Sequence, residues 1–275
     1  MSNVSQAVSS RRRLLELAAA GAAVLLAPSC SRNEATGRPQ LVMVDESQLA
    51  AMASSTWADL KRRTPIVTDG AAPGRLARIG ADVASAANLT GLDWEFVVFD
   101  SPEVNAFVLP GGKVGFNTGL LERTKSDHEV AAILGHEVGH VVARHAAERV
   151  SQHTAAQLGV QAMTLLLAGE LGSRADEVAG MFGVGLVYGV ILPYSRAHEL
   201  EADRLGVRLM AEAGYDPRAA ENFWKRMIDL DRDRPQRLAL LSTHPADDAR
   251  LSALRVEIER FSTPEARQDV ARSTL

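Results

Sequence analysis

The residues of this 275-residue chain best suited to chemistry are His136, Glu137 and His140, spaced as H-E-x-x-H. Four residues make just over one helical turn, so both imidazoles share a face and can reach one metal ion. Glu137 projects about 100° further round the helix, close enough to take a proton from a water activated at that metal. Zinc suits such a pair: it asks for three protein ligands and keeps one position open, where a water is acidified to a pKa of about 7. Random placement of the same residues gives this pattern about 0.01 times per chain, which leaves two incidental histidines on a helix as the bland alternative.

A third ligand must come from elsewhere. The longer zinc pattern H-E-x-x-H-x-x-G-x-x-H needs glycine at 143 and histidine at 146, and both positions are alanine (Ala143, Ala146). His145 falls five residues after His140, about 140° round a continuous helix, and is expected to miss the site. Further on, residues 195–203 read SRAHELEAD. Glu199 and Asp203, four apart, share a helical face; Glu199 is the better third ligand, with Asp203 placed to orient a ligand imidazole. Glu201 points off that face and is the fallback ligand, while His198 reads as a bystander.

Helices must carry these groups. Apolar spacing predicts helices over 46–63, 72–88, 127–152, 155–170, 197–213, 217–231 and 247–261. Residues 94–99, 106–109 and 113–116 read as strands, the last two joined by a turn at Pro110-Gly111-Gly112. A Gly-rich apolar stretch, 178–192, is too short to span a membrane and is expected to pack closely beside the active-site helix. His128 and His153 read as solvent-facing or capping residues. The economical fold is α+β: one mostly helical domain over 46–262, with a small three-stranded sheet near the active-site helix, and a frayed tail over 263–275.

The N-terminus reads as an address. Arg11, Arg12 and Arg13 precede an apolar run of small and aliphatic residues that ends at Pro28-Ser29-Cys30. That order describes a secretory signal over 1–30, of lipoprotein or twin-arginine type, with Cys30 the residue to be lipidated. Polar residues 31–45 are then expected to act as a tether. Arg32, where many inner-membrane lipoproteins carry aspartate, favours the outer membrane. A single cysteine excludes a disulfide framework or a cysteine-rich zinc finger. The net charge of −4, from 30 basic and 34 acidic residues, offers no basic footprint, so nucleic acid is not an expected partner.

H-E-x-x-H followed by S-R-x-x-E-x-x-A-D resembles the gluzincin family that contains the CAAX prenyl proteases, the heat-shock protease HtpX and the Oma-type proteases. Asn105-Ala106-Phe107 with Pro110-Gly111-Gly112 looks like that family's substrate-side strand and turn. Ser242-Thr243-His244-Pro245 with Arg250 looks like its C-terminal signature. The resemblance implies a zincin-like fold with one zinc per chain on His136, His140 and Glu199, and Glu137 as the base. It implies His244 and Arg250 near the oxyanion, and Asn105, Ala106, Pro110, Gly111 and Gly112 along the substrate. His244 could instead occupy the fourth metal position and hold the enzyme latent.

The sequence has no set of transmembrane helices like that of the family's membrane-embedded members, so it is similar to the exported periplasmic branch. This implies a zinc endopeptidase of the bacterial envelope, lipid-anchored at Cys30, acting on unfolded or extended polypeptide. The competing reading is a non-catalytic assembly factor that binds extended chains in the same groove. Glu137 favours the enzyme, since a binder has no use for a base.

Overall fold

β-Branched and aromatic residues around the predicted strands form a three-stranded sheet in the computed structural model, which describes residues 30–89, 91–171, 195–232, 234–236 and 238–261. Residues 1–29 of the expected signal segment 1–30, the Gly-rich stretch 178–192 and the expected tail 263–275 lie outside the described residues. We number the elements in chain order. A short hairpin of β1 (Cys30–Arg32) and β2 (Pro39–Leu41) is followed by α1 (Glu46–Arg63) and α2 (Ala71–Ala86). The sheet comprises β3 (Glu95–Phe99), β4 (Ala106–Leu109) and β5 (Lys113–Asn117). Then come α3 (Thr118–Leu121), α4 (Asp127–Val142), α5 (His145–Leu171), α6 (Arg196–Glu212), α7 (Arg218–Arg232), α8 (Ala239–Thr243) and α9 (Asp248–Phe261).

Where one domain was expected, the chain divides into two compact units. The described residues of the first are 30–44 and 147–171. Its hairpin, in antiparallel register Cys30↔Leu41, occupies much of the stretch read as a tether. Asn33 explains why: its Oδ1 accepts from the amides of Ala35 and Thr36, closing a turn that a polar composition hides. Arg38 and Gln40 then donate to Glu148 of α5, a carboxylate buried to 4% exposure.

The second unit holds residues 45–146 and 193–275. In its sheet the order is β3-β5-β4, with β3 parallel and β4 antiparallel to β5, so β4 is an edge strand. The β4–β5 turn uses Gly111 and Gly112 at φ of 85° and 82°, a conformation glycine adopts without strain. Helix α4 lies at the centre, packed against α2, α6, α7 and β4. Val130, Ile133, Leu134 and Val138 of α4 join Leu76 and Ile79 of α2, Phe116 of β5, and Met210, Phe223 and Met227 in one core.

Two glycines let α6 approach α4 more closely than side chains would allow. A Cβ at Gly139 would stand 2.7 Å from the Ala202 carbonyl oxygen, and one at Gly135 equally near that of Gly206. The chain therefore presents the histidine-bearing face of α4 and the acidic face of α6 to each other almost backbone to backbone.

Both ends of this pair are capped. Ser126 Oγ accepts from the Glu129 amide at the start of α4, and Glu129 accepts in return from the Lys125 amide. Ser195 Oγ accepts from the His198 amide, which fixes the first turn of α6 where Glu199 sits. Among the described residues, no helix is long and apolar enough to cross a membrane.

The expected helix over 127–152 is in fact two. Arg144 takes φ 56°, the left-handed region, and the chain turns there before α5 begins. Nothing in Val142-Ala143-Arg144 is a helix breaker by type, so the break is a tertiary feature that local pattern does not carry.

Candidate active site

Helix α4 delivers His136 and His140 on one face, a full turn apart, and α6 brings Glu199 against them from its first turn. His136 Nε2 lies 3.1 Å from His140 Nε2 and 3.3 Å from Glu199 Oε2; His140 Nε2 is 3.5 Å from Glu199 Oε1. A fourth group joins them. His244 caps α8, its amide donating to the Leu240 carbonyl, and its Nδ1 stands 3.1 Å from His136 Nε2 and 3.2 Å from Glu199 Oε1. The four ligand atoms lie within 4.8 Å of one another and all four residues are buried.

These atoms suit zinc. Bonds of about 2.0–2.1 Å in a tetrahedron separate the ligand atoms by about 3.3 Å; several pairs here are 3.1 to 3.5 Å apart and all four atoms lie within 4.8 Å. The protonation states of His140 and Glu199 favour the same conclusion. Burial drives the His140 pKa well below the usual histidine value. Burial would raise Glu199, yet the surrounding imidazoles, His136 first, hold it well below the ordinary glutamate range. Burial opposes protonation of His136, while Glu199 and Asp203 carry its pKa up to about 9. His140 and Glu199 thus stand in the forms that bind a cation, neutral imidazole and ionised carboxylate, whereas a cation reaching His136 must displace its proton.

The surrounding residues orient the set. Asp203 Oδ1 is 2.9 Å from His136 Nδ1 and accepts its N–H, so Nε2 turns its lone pair to the centre. Arg250, buried to 3% exposure, pairs with Asp203 through Nε at 2.6 Å and with Glu199 through Nη1 at 2.6 Å. It also donates to the carbonyls of His244 and Pro245, and its guanidinium stacks 4.3 Å from the ring centre of Trp224. Its Nη2 donates to Asp203 Oδ1 at 2.8 Å, so Arg250 holds both carboxylates in place. Asp203 in turn sits below the ordinary aspartate range, because Arg250 outweighs the burial that would raise it.

Glu137 faces the other way round α4. Its Oε1 is buried and accepts no hydrogen bond, with His244 Nε2 at 3.3 Å. Burial raises its pKa above the ordinary glutamate value; His244 and His136 oppose this, as does a backbone hydrogen bond from Val108 of β4. Glu137 therefore lies between the ligand cluster and the edge strand.

On that strand Ala106 is buried, and Asn105 keeps its Oδ1 buried without a hydrogen bond. Pro110, Gly111 and Gly112 are not gathered at the cluster. They make the β4–β5 turn, with Ala50 of α1 beside Gly111, and Leu92 and Trp94 beside Gly112.

Other expectations need correction. His145 is not a member of the ligand cluster, but because the helix breaks at Arg144 its Nδ1 lies behind it, 2.8 Å from His140 Nδ1. Glu201, kept as the fallback ligand, binds His145 Nε2 at 3.0 Å and is not part of the cluster. His198 is buried and stacks on the His145 ring, with centroids 4.3 Å apart. Exposed His128 accepts from the Asp216 amide, a capping contact. Trp224, edge-on to His136 at 5.4 Å, had no signal in the motif spacing.

Comparison with known proteins agrees with this geometry. The sequence pattern of peptidase family M48 matches residues 71–258, which include every residue of the cluster. The chain is 37% identical to the mitochondrial metalloendopeptidase OMA1 of Schizosaccharomyces pombe, over 64% of this chain and 50% of that protein. Against the Arabidopsis thaliana protein of the same name it is 36% identical, over 77% of this chain and 41% of the relative. The β-barrel assembly-enhancing protease of Yersinia pestis is 29% identical over 76% of this chain and 43% of its own length. The chain thus spans about half the length of these relatives. With a buried H-E-x-x-H helix, a facing glutamate and a family match over most of its length, this chain belongs to peptidase family M48.

Proposed function

We propose that this chain is a zinc-dependent endopeptidase of the bacterial cell envelope, hydrolysing peptide bonds in misfolded or unassembled exported proteins. The observation that carries the reading is the meeting of four ligand atoms with a buried, hydrogen-bond-free Glu137 Oε1. Its relatives are named metalloendopeptidases and a β-barrel assembly-enhancing protease. The arginine cluster, apolar run and Cys30 support export and lipid anchoring.

Zinc held by His136, His140 and Glu199 would polarise the scissile carbonyl and acidify the attacking water. Glu137 takes the proton from that water at Oε1 and delivers it to the leaving amine nitrogen. A carboxylate with a raised pKa suits both halves of that transfer, because it accepts a proton readily and keeps it until the amine departs. An extended chain adding to the edge strand β4 would present its carbonyls alongside Glu137. Folded proteins offer no such strand, so unfolded chains are the preferred substrates.

Incubation of the zinc-loaded full chain with unfolded casein and with a folded reporter tests this. Casein is cleaved, the folded reporter survives, and a chelator stops the reaction until zinc is returned. Cleavage indifferent to chelation overturns the reading. Anchoring is tested by radiolabelled palmitate, which enters the wild type and is lost in Cys30→Ser.

A latent form of the same enzyme has one observation in its favour. His244 Nδ1 stands within the ligand set, where an imidazole closes the position that water needs. Basal casein cleavage rises in His244→Ala if His244 blocks the site, and falls if it assists the reaction.

A further inference from the structure

The two histidines of α4 are held differently. His136 gives its Nδ1 hydrogen to a carboxylate directly. His140 meets another imidazole, His145, which sequence spacing had placed out of reach. The break at Arg144 swings His145 back beneath His140, with the two Nδ1 atoms 2.8 Å apart and both rings buried. On its far side His145 Nε2 lies 3.0 Å from Glu201 Oε2, and His145 is fully buried.

We propose that His145, anchored by Glu201, is a positioning residue that fixes the tautomer and ring plane of His140. A carboxylate only accepts, so the hydrogen between Glu201 and His145 belongs to His145 Nε2. A neutral His145 then has a bare Nδ1, which must accept from His140 Nδ1–H. That leaves the His140 lone pair on Nε2, the atom 3.1 Å from His136 Nε2 and turned to the ligand cluster. The chain Glu201–His145–His140 thus does in three residues what Asp203 does for His136 in one. His198 completes the support: its ring stacks on His145 at 4.3 Å and an interplanar angle of 29°, resisting rotation of the relay. Glu201 and His198 lie on the same helix as Glu199, so α6 supplies a direct ligand and the distant anchor of another.

The inference rests on the zinc reading of the cluster, and the experiment separates the two. Zinc affinity of the full chain is measured by competition with a chromophoric chelator, alongside the visible spectrum of the cobalt-substituted protein. His145→Phe keeps the ring but offers no acceptor, and weakens zinc binding 10- to 100-fold, the range expected for partners behind a ligating histidine. Its cobalt bands shift. His145→Asn places an amide oxygen where Nδ1 was, and restores affinity to within a few-fold of wild type with a near-native spectrum. Glu201→Leu leaves His145 in place, weakens zinc in the same direction, and keeps the test readable if the phenylalanine variant does not fold.

Unchanged affinity and spectrum in folded His145→Phe or Glu201→Leu overturn the relay while leaving the metal site standing. So does an asparagine variant as weak as the phenylalanine one. A wild-type chain that takes up no zinc at all refutes the metal site itself, and the relay with it.

Discussion

Alanine at Gly139 tests the packing that creates the site, because two effects of opposite sign compete there. On helix propensity alone, Gly→Ala in a helix interior stabilises by about 1 kcal/mol. Against that, the new Cβ would stand 2.7 Å from the Ala202 carbonyl oxygen and 3.3 Å from its Cα. Carbon and oxygen pack at about 3.5 Å, so α6 must retreat by roughly 0.8 Å or α4 must bend. The obstacle is backbone in mid-helix, and no rotamer relieves it. Overpacking costs about 1–3 kcal/mol, and rigid backbone on both sides puts this site at the upper end.

The net result for Gly139→Ala is a loss of about 1–2 kcal/mol, read as a fall of roughly 2–8 °C in the melting temperature of metal-free protein. The same retreat carries Glu199 away from His140, so zinc affinity falls about tenfold, equivalent to about 1.4 kcal/mol. Calorimetry and chelator competition give both numbers. A variant more stable than wild type, with native zinc affinity, would show that α4 and α6 do not depend on backbone contact, and the account of how the site is assembled fails.

Arg250→Ala strands Asp203 and Glu199 as buried carboxylates without their cation, and should cost about 3–5 kcal/mol in chemical denaturation; a loss below 1 kcal/mol would contradict that ion-pair network. Asp127, which accepts from Arg75 at 2.6 Å and from Arg78, is held below the ordinary aspartate range by them. Its lowered pKa adds stability above about pH 4 that is lost as pH falls through the folded value. The pair is partly exposed, so Asp127→Asn lowers stability at pH 7 by no more than about 1 kcal/mol. That gap closes by pH 2, and a gap that persists in acid refutes the pairing. Glu148→Ala removes the carboxylate that collects Arg38 and Gln40, and native-state hydrogen exchange should quicken at the β1 and β2 amides; unchanged exchange means the hairpin stands without it.

Much of the site was legible because its parts are local repeats of one helical turn. His136 and His140, or Glu199 and Asp203, need only a helix and a spacing of four to share a face; α6 forms within a residue of its expected bounds, and α4 starts where expected but ends ten residues early, past both histidines. The sheet was equally plain, since Pro110-Gly111-Gly112 can only turn between two apolar runs. His244 is different. It reaches the cluster across 108 residues from His136, and no periodicity links the two; only resemblance to a family did.

The contact of His145 with His140 escaped the spacing argument for a sharper reason. An unbroken helix puts it on the wrong side, and a left-handed Arg144 has no mark in the sequence. The hairpin around Asn33 escaped notice because its strands have three residues each and are held by side-chain hydrogen bonds rather than apolar alternation. Arg250 was placed near the chemistry by resemblance alone, and its pairing with Asp203 and Glu199 is visible only in the coordinates.

Glu137→Gln is the most direct measurement on the central claim. Glutamine preserves the shape and burial of the side chain but cannot take a proton, so zinc should bind the variant as tightly as wild type. Casein cleavage at equal zinc occupancy should fall 10²- to 10⁴-fold, the range for loss of a general base. A zinc-loaded Glu137→Gln protein that cleaves as fast as wild type would mean that the buried oxygen beside His244 is not the base, and the catalytic account would fall.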